Sequence, residues 1–146
     1  IYTALELDPG RELIAAAEQY GKSLVVRVPH SSGMLEGRYT EDTVFPEHDH
    51  RRHRPRTWLV EGVRKIERLR FLEQENGCTL GQAALRYVLH SPAVVSALPN
   101  IYDRAQLAEF AAASDVPDIT DRQAAIVEQL FEENYGLPRE TAAATS

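Results

Sequence analysis

Residues 23–38 read Ser-Leu-Val-Val-Arg-Val-Pro-His-Ser-Ser-Gly-Met-Leu-Glu-Gly-Arg. The run Leu24-Val25-Val26 has the composition of a strand buried on both faces. Pro29 stops it, because proline cannot donate to a ladder. Ser31-Ser32-Gly33 then forms a small polar turn, followed by Gly37 and the cationic Arg38. A buried parallel strand emptying into such a turn leaves amide N–H groups and hydroxyls beyond its C-terminal end. Ligands of α/β proteins gather there, and free amides beside an arginine suit an anion such as phosphate.

Upstream, residues 1–7 read as a short apolar strand, and Asp8-Pro9-Gly10 as a turn with Asp8 placed to cap a helix. Residues 12–20 carry Leu13, Ile14, Ala16 and Ala17 at helical spacing, and Gly21 is a stop. Strand, helix and strand 23–28 together have the length of a βαβ unit.

Downstream, residues 39–56 are polar and charged, without period, and are expected to form a mobile loop. A long helix over 57–76 follows, with Leu59, Val63, Ile66, Leu69 and Leu72 as its stripe and Gly77 as its end. Thr79 and Gln82 make a capping box that opens another helix, closed by Pro92. Residues 93–98 read as a third buried strand, stopped by Pro99. Asp103 caps a helix with Gln106 in its first turn, and Thr120 with Gln123 opens a last helix through residue 134. The small, polar end, residues 136–146, is expected to be disordered. Alternating strands and helices predict a parallel sheet with helical crossovers, so the turns at Pro29 and Pro99 should lie at one end and face one ligand.

At these two turns the sequence resembles the aldo/keto reductase family. Its penultimate strand ends in a pattern like S-P-L-x-x-G-x-L-x-G-K, matched by Val28-Pro29-His30-Ser31-Ser32-Gly33-Met34-Leu35-Glu36-Gly37-Arg38. Its last strand ends in P-G-x-x-x-x-x-Q-x-x-E-N, matched by Pro99-Asn100-Ile101-Tyr102-Asp103-Arg104-Ala105-Gln106-Leu107-Ala108-Glu109-Phe110. The resemblance implies an α/β fold in which residues 1–146 are the C-terminal part of a (β/α)₈ TIM barrel, with about three parallel strands. It implies NADPH as cofactor, NADH not excluded, and a small aldehyde or ketone as substrate. Val28, Pro29, His30, Ser31 and Ser32 would hold the pyrophosphate, and Arg27 would stack on the nicotinamide. Arg38 and an arginine of the long loop, Arg51 or Arg52, would meet phosphate; Arg52 is our selection. Asn100, Ile101, Tyr102 and Gln106 would surround the 2′-phosphate, and Glu109 with Phe110 the adenine side.

Three positions depart from the pattern. Asn100 stands for a glycine, Tyr102 for a serine or arginine, and Phe110 for an asparagine. The family's catalytic Tyr, Lys, Asp and His belong to the first half of the barrel, so none is expected here. The chain begins Ile-Tyr-Thr and its single methionine is Met34, as expected of a piece that pairs with a missing N-terminal half. A rival reading is a non-catalytic dinucleotide sensor or protein-interaction subunit of the same fold.

The net charge of −6 argues against a general nucleic-acid or membrane-surface binder. One cysteine, Cys78, excludes an internal disulfide and fits a reducing, cytoplasmic setting. His48, His50 and His53 are interleaved with Arg51, Arg52, Arg54 and Arg56, whose charges disfavour a divalent metal.

Overall fold

The computed structural model describes residues 1–138. In chain order it comprises helix α1 (Gly10–Gln19), strand β1 (Leu24–Arg27), helices α2 (Arg56–Glu67), α3 (Phe71–Asn76) and α4 (Leu80–Val88), strand β2 (Val94–Leu98), and helices α5 (Arg104–Ala111) and α6 (Asp121–Glu132). The tail beyond residue 138 lies outside the described residues.

The two strands pair in parallel, with Val25 opposite Ser96, Val26 opposite Ala97 and Arg27 opposite Leu98. That register ends both strands at one level, so the turns at Pro29 and Pro99 emerge side by side. Helices cover one face only. Val26 is buried, whereas Val25 and Leu98 are each 56% exposed. The expectation of strands buried on both faces therefore fails, because the helices of this chain pack against a single face of the sheet.

The first expected strand is also absent. Residues 1–7 form a tight turn in which Thr3 and Glu6 exchange backbone hydrogen bonds. Thr3 Oγ1 accepts from the amides of Leu5 (3.1 Å) and Glu6 (3.0 Å). A buried threonine that satisfies its own neighbours' donors removes the need for a ladder. Among the described residues the sheet thus has two strands, not three.

Two helical expectations are corrected as well. Asp8 does not cap α1; it pairs with Arg11, at 2.8 and 2.7 Å, and leaves Pro9 at the cap. The helix expected over 57–76 breaks into α2 and α3. Around the break the amides of Arg68, Leu69 and Leu72 bond three residues back, tightening the turn. The bend lets Ile66, Leu69 and Leu72 all enter the core, while Arg70 reaches Gly37 O at 3.1 Å.

Other local signals are borne out. Thr79–Gln82 and Thr120–Gln123 form reciprocal capping boxes, Asp103 Oδ1 accepts from Gln106 N, and Gly77 ends α3 at φ 62°. The core joins Leu7, Val26, Leu35, Ile66, Tyr87 and Val127 between the helices and the covered face of the sheet.

Candidate dinucleotide site at the strand ends

Beyond β1 the backbone turns sharply: Val28, Ser31, Ser32 and Gly33 have φ of 56°, 47°, 59° and 88°. Left-handed conformation is costly for a β-branched residue such as Val28. The result is a concave loop. Ser31 N, Met34 N and Leu35 N bond within it. Among the described residues the amides of His30, Ser32 and Gly33 find no protein acceptor. Three unpaired donors in one curl are the form of an anion cradle. Ser31 Oγ is held by Thr3 Oγ1 at 2.8 Å, so the turn at residues 1–7 braces this loop.

Beyond β2, Gln106 connects the two turns. Its Nε2 donates to Glu36 Oε2 at 2.9 Å, and its Oε1 accepts from Tyr102 N at 2.8 Å. Gln106 is buried, while its partners Glu36 and Tyr102 keep contact with water. Val28, Pro29, Ser32, Glu36, Asn100 and Tyr102 line the narrow cleft between the turns, whose volume is about 10 Å³.

A second tie lies alongside. Arg38 Nη2 meets Glu109 Oε2 at 2.5 Å, and Thr79 Oγ1 donates to the other Glu109 oxygen at 2.7 Å. His30 turns inward: its Nε2 donates to Gly81 O at 2.9 Å and its ring stacks on Phe110, centroids 4.4 Å apart. Burial pushes the His30 pKa below its ordinary value. His30 can therefore offer a ligand only its backbone, and Phe110 is a core residue. Asn100, Ile101 and Tyr102 are exposed, and Arg27 lies on the uncovered face of the sheet.

In the long loop it is Arg51 that reaches the cleft. Its Nη1 donates to Ser32 O at 3.4 Å and to Tyr39 Oη, and its guanidinium lies 6.0 Å from the Tyr102 ring. Asp49 orients it through an ion pair at 2.5 Å. That bond holds the Asp49 pKa down at about 2. Arg52 instead turns to Glu47, at 3.4 Å. Sequence reasoning missed Glu36, Tyr39 and Asp49. The position of Glu36 inside the matched motif was the available signal; the other two became visible only once the loop had a path.

A parallel α/β unit whose two strands end side by side, with unpaired amides in the turn beyond them, defines the general class, a portion of a parallel α/β fold with its candidate site at the strand ends. The chain belongs to the aldo/keto reductase family, whose model matches residues 1–132. It is 26% identical over 127 residues to a probable voltage-gated potassium channel subunit beta of Oryza sativa subsp. japonica, covering 80% of this chain and 39% of that protein. Its fold is similar to that of glycerol dehydrogenase AKR11B4 from Gluconobacter oxydans, with TM-score 0.77 and 18% identity over 98% of this chain and 44% of that one. The holo form of aldo-keto reductase AKR11C1 from Bacillus halodurans matches with TM-score 0.57 and 20% identity, over 88% and 40% of the two chains. The chain thus spans about two fifths of the length of these relatives and has the architecture of a partial barrel. Among the described residues, no helix is long and apolar enough to cross a membrane, and no group of three or more His, Cys, Asp or Glu could hold a metal ion.

Proposed function

We propose that this chain is the C-terminal, dinucleotide-gripping portion of an NAD(P)H-dependent aldo/keto reductase that reduces a small aldehyde or ketone. The observation that carries the reading is the level ending of β1 and β2, which puts the three unpaired amides of the Pro29 turn next to Gln106 and Tyr102. The three amides are donors of the kind a pyrophosphate takes, in a cleft of about 10 Å³ that must widen to admit one, and the nicotinamide, when bound, would supply the hydride. The amides of His30, Ser32 and Gly33 would hold phosphate oxygens, and Arg51 would close over them from the loop. Before a dinucleotide can lie across both turns, Gln106 must release Glu36. Arg38 is neutralised by Glu109, and Glu36 adds a carboxylate to the cleft, so NADH suits the site at least as well as NADPH. Proton donation to the carbonyl would fall to residues outside this chain. We place the protein in the cytoplasm.

Titration of the full chain with NADH and NADPH, followed by nicotinamide fluorescence, tests the reading. Saturable binding is expected, weakened about tenfold by Arg51→Gln, the scale of one charge-assisted contact. No binding of either dinucleotide would overturn it. With a reactive aldehyde and NADPH, the isolated chain should show no turnover. The likeness to a probable channel subunit favours a second reading, a dinucleotide-binding interaction subunit. It predicts the same titration, and differs in that no carbonyl would be reduced even by the complete protein.

A further inference from the structure

The loop over residues 39–55 curls back onto the start of α2 and leaves an open pocket of about 650 Å³, within the range of small-molecule sites. Two half-buried aromatic rings, Phe45 and Trp58, stand in its wall with centroids 6.3 Å apart. Arg51, Arg52, Arg54 and Arg56 line it, and Glu47 is the acidic lining residue. The same loop carries Glu41, Asp42, Glu47 and Asp49, so what distinguishes the pocket is how its wall is composed: four guanidinium groups and one carboxylate face it, while the other acids of the loop lie outside its lining.

The arginines are unequally committed. Arg51 is paired with Asp49 and turned toward Ser32 and Tyr39. Arg54 lies 5.2 Å over the Trp58 ring, so its charge meets a π face and not a carboxylate. Arg52 meets Glu47 at its backbone carbonyl (3.3 Å) and at its carboxylate (3.4 Å), the latter on a side chain that is 93% exposed. A solvent-screened pair of that kind is weak and exchangeable. Arg56 is positioned by the backbone carbonyls of Thr43 (2.9 Å) and Glu41, with Asp42 no closer than 3.8 Å. Guanidinium forks match the oxygens of phosphate and carboxylate, and aromatic walls favour a flat ring.

We propose that this pocket is a second ligand site, for a small planar aromatic anion such as an aryl phosphate or aryl carboxylate. It is separate from the cleft between the strand ends and meets it through Arg51, which donates to Ser32 O, and through Phe45, whose ring packs on Tyr39, a second donor to Ser32 O. The proposal does not rest on the dinucleotide reading.

Trp58 is the single tryptophan of the chain and stands in the wall of this pocket and of a smaller one beside Ser31 and Met34, so the arginine variants decide which of the two its fluorescence reports. Titrating the full chain with phenyl phosphate should give a saturable change in Trp58 emission that weakens as salt is raised. Inorganic phosphate should bind more weakly. Arg54→Gln should weaken phenyl phosphate about tenfold, and Arg56→Gln similarly, while Arg104→Gln, an exposed site on α5, should not. Ligand-detected NMR supplies a readout independent of any direct effect of Arg54→Gln on the indole. The proposal is overturned by absence of saturable binding at millimolar probe, by unchanged affinity in both folded pocket variants, or by competitive displacement of the probe by NADH. The last result would merge the pocket with the dinucleotide site. Loss of NADH binding with phenyl phosphate binding intact would count against the dinucleotide reading alone.

Discussion

His30 occupies a motif position where the sequence suggests a ligand contact, yet its imidazole is a structural piece between Gly81 O and the Phe110 ring. Burial outweighs the Gly81 carbonyl and the Glu36 and Glu109 carboxylates, which act the other way, and lowers its pKa from 6.5. A group with a depressed basic pKa stays neutral in the folded protein while the unfolded chain takes up a proton. Its contribution to stability is therefore complete above about pH 6.5 and is lost as pH falls from there toward the folded value. Replacing His30 by Gln should cost about 1–3 kcal/mol at pH 7, from the lost stack and hydrogen bond. The gap between wild type and variant in urea midpoints should then narrow from pH 7 to pH 5. A constant gap would show that His30 does not titrate as described. The choice between Arg51 and Arg52 was equally closed to sequence reasoning. Adjacent arginines have the same chemistry, and only the path of the loop past Asp49 decides which one meets Ser32.

Elements defined by local chemistry were readable. The Thr79 and Thr120 caps, the glycine stop at Gly77 and the proline limits of both strands depend on residues within one turn of each other. Features set by distant packing were not: Thr3 satisfying its own turn, the break between α2 and α3, and the Glu36–Gln106 clasp all depend on partners brought together by the fold. Gly62 shows how closely such partners fit. It lies on α2 against the buried Met34, at the start of the 3₁₀ turn that carries Glu36. A Cβ there would come within 2.8 Å of Met34 Sδ and closer to its Cε. Alanine for an internal helical glycine ordinarily stabilises by about 1 kcal/mol. Here overpacking should prevail, giving Gly62→Ala a net cost of about 1–2 kcal/mol by denaturant melts. Adding Met34→Val, which vacates the contested space, should recover part of that loss. Stabilisation by Gly62→Ala alone would mean that Met34 moves aside freely.

At the scale of the molecule, the sheet is the unusual feature. Its β1–β2 pair has helices on one side, and on the other Val25 and Leu98 stand 56% exposed beside Arg27. In a closed (β/α)₈ barrel such a face is packed interior. Left open, it combines apolar side chains with unpaired strand edges, and both favour association. The isolated chain should therefore self-associate, with the mass measured by light scattering rising above that of one chain as concentration increases. Replacing Val25 and Leu98 together by Lys should raise the dissociation constant by about tenfold per residue, because each apolar contact forfeits roughly 1–2 kcal/mol of burial. Folding should be preserved, since neither side chain belongs to the core. Dinucleotide binding should persist in the double variant as well, because the amide cradle and the Gln106 clasp lie beyond the strand ends and not on this face. A chain that stays monomeric at high concentration with Val25 and Leu98 intact would show that Arg27 keeps the open face solvated and that the strand edges do not pair.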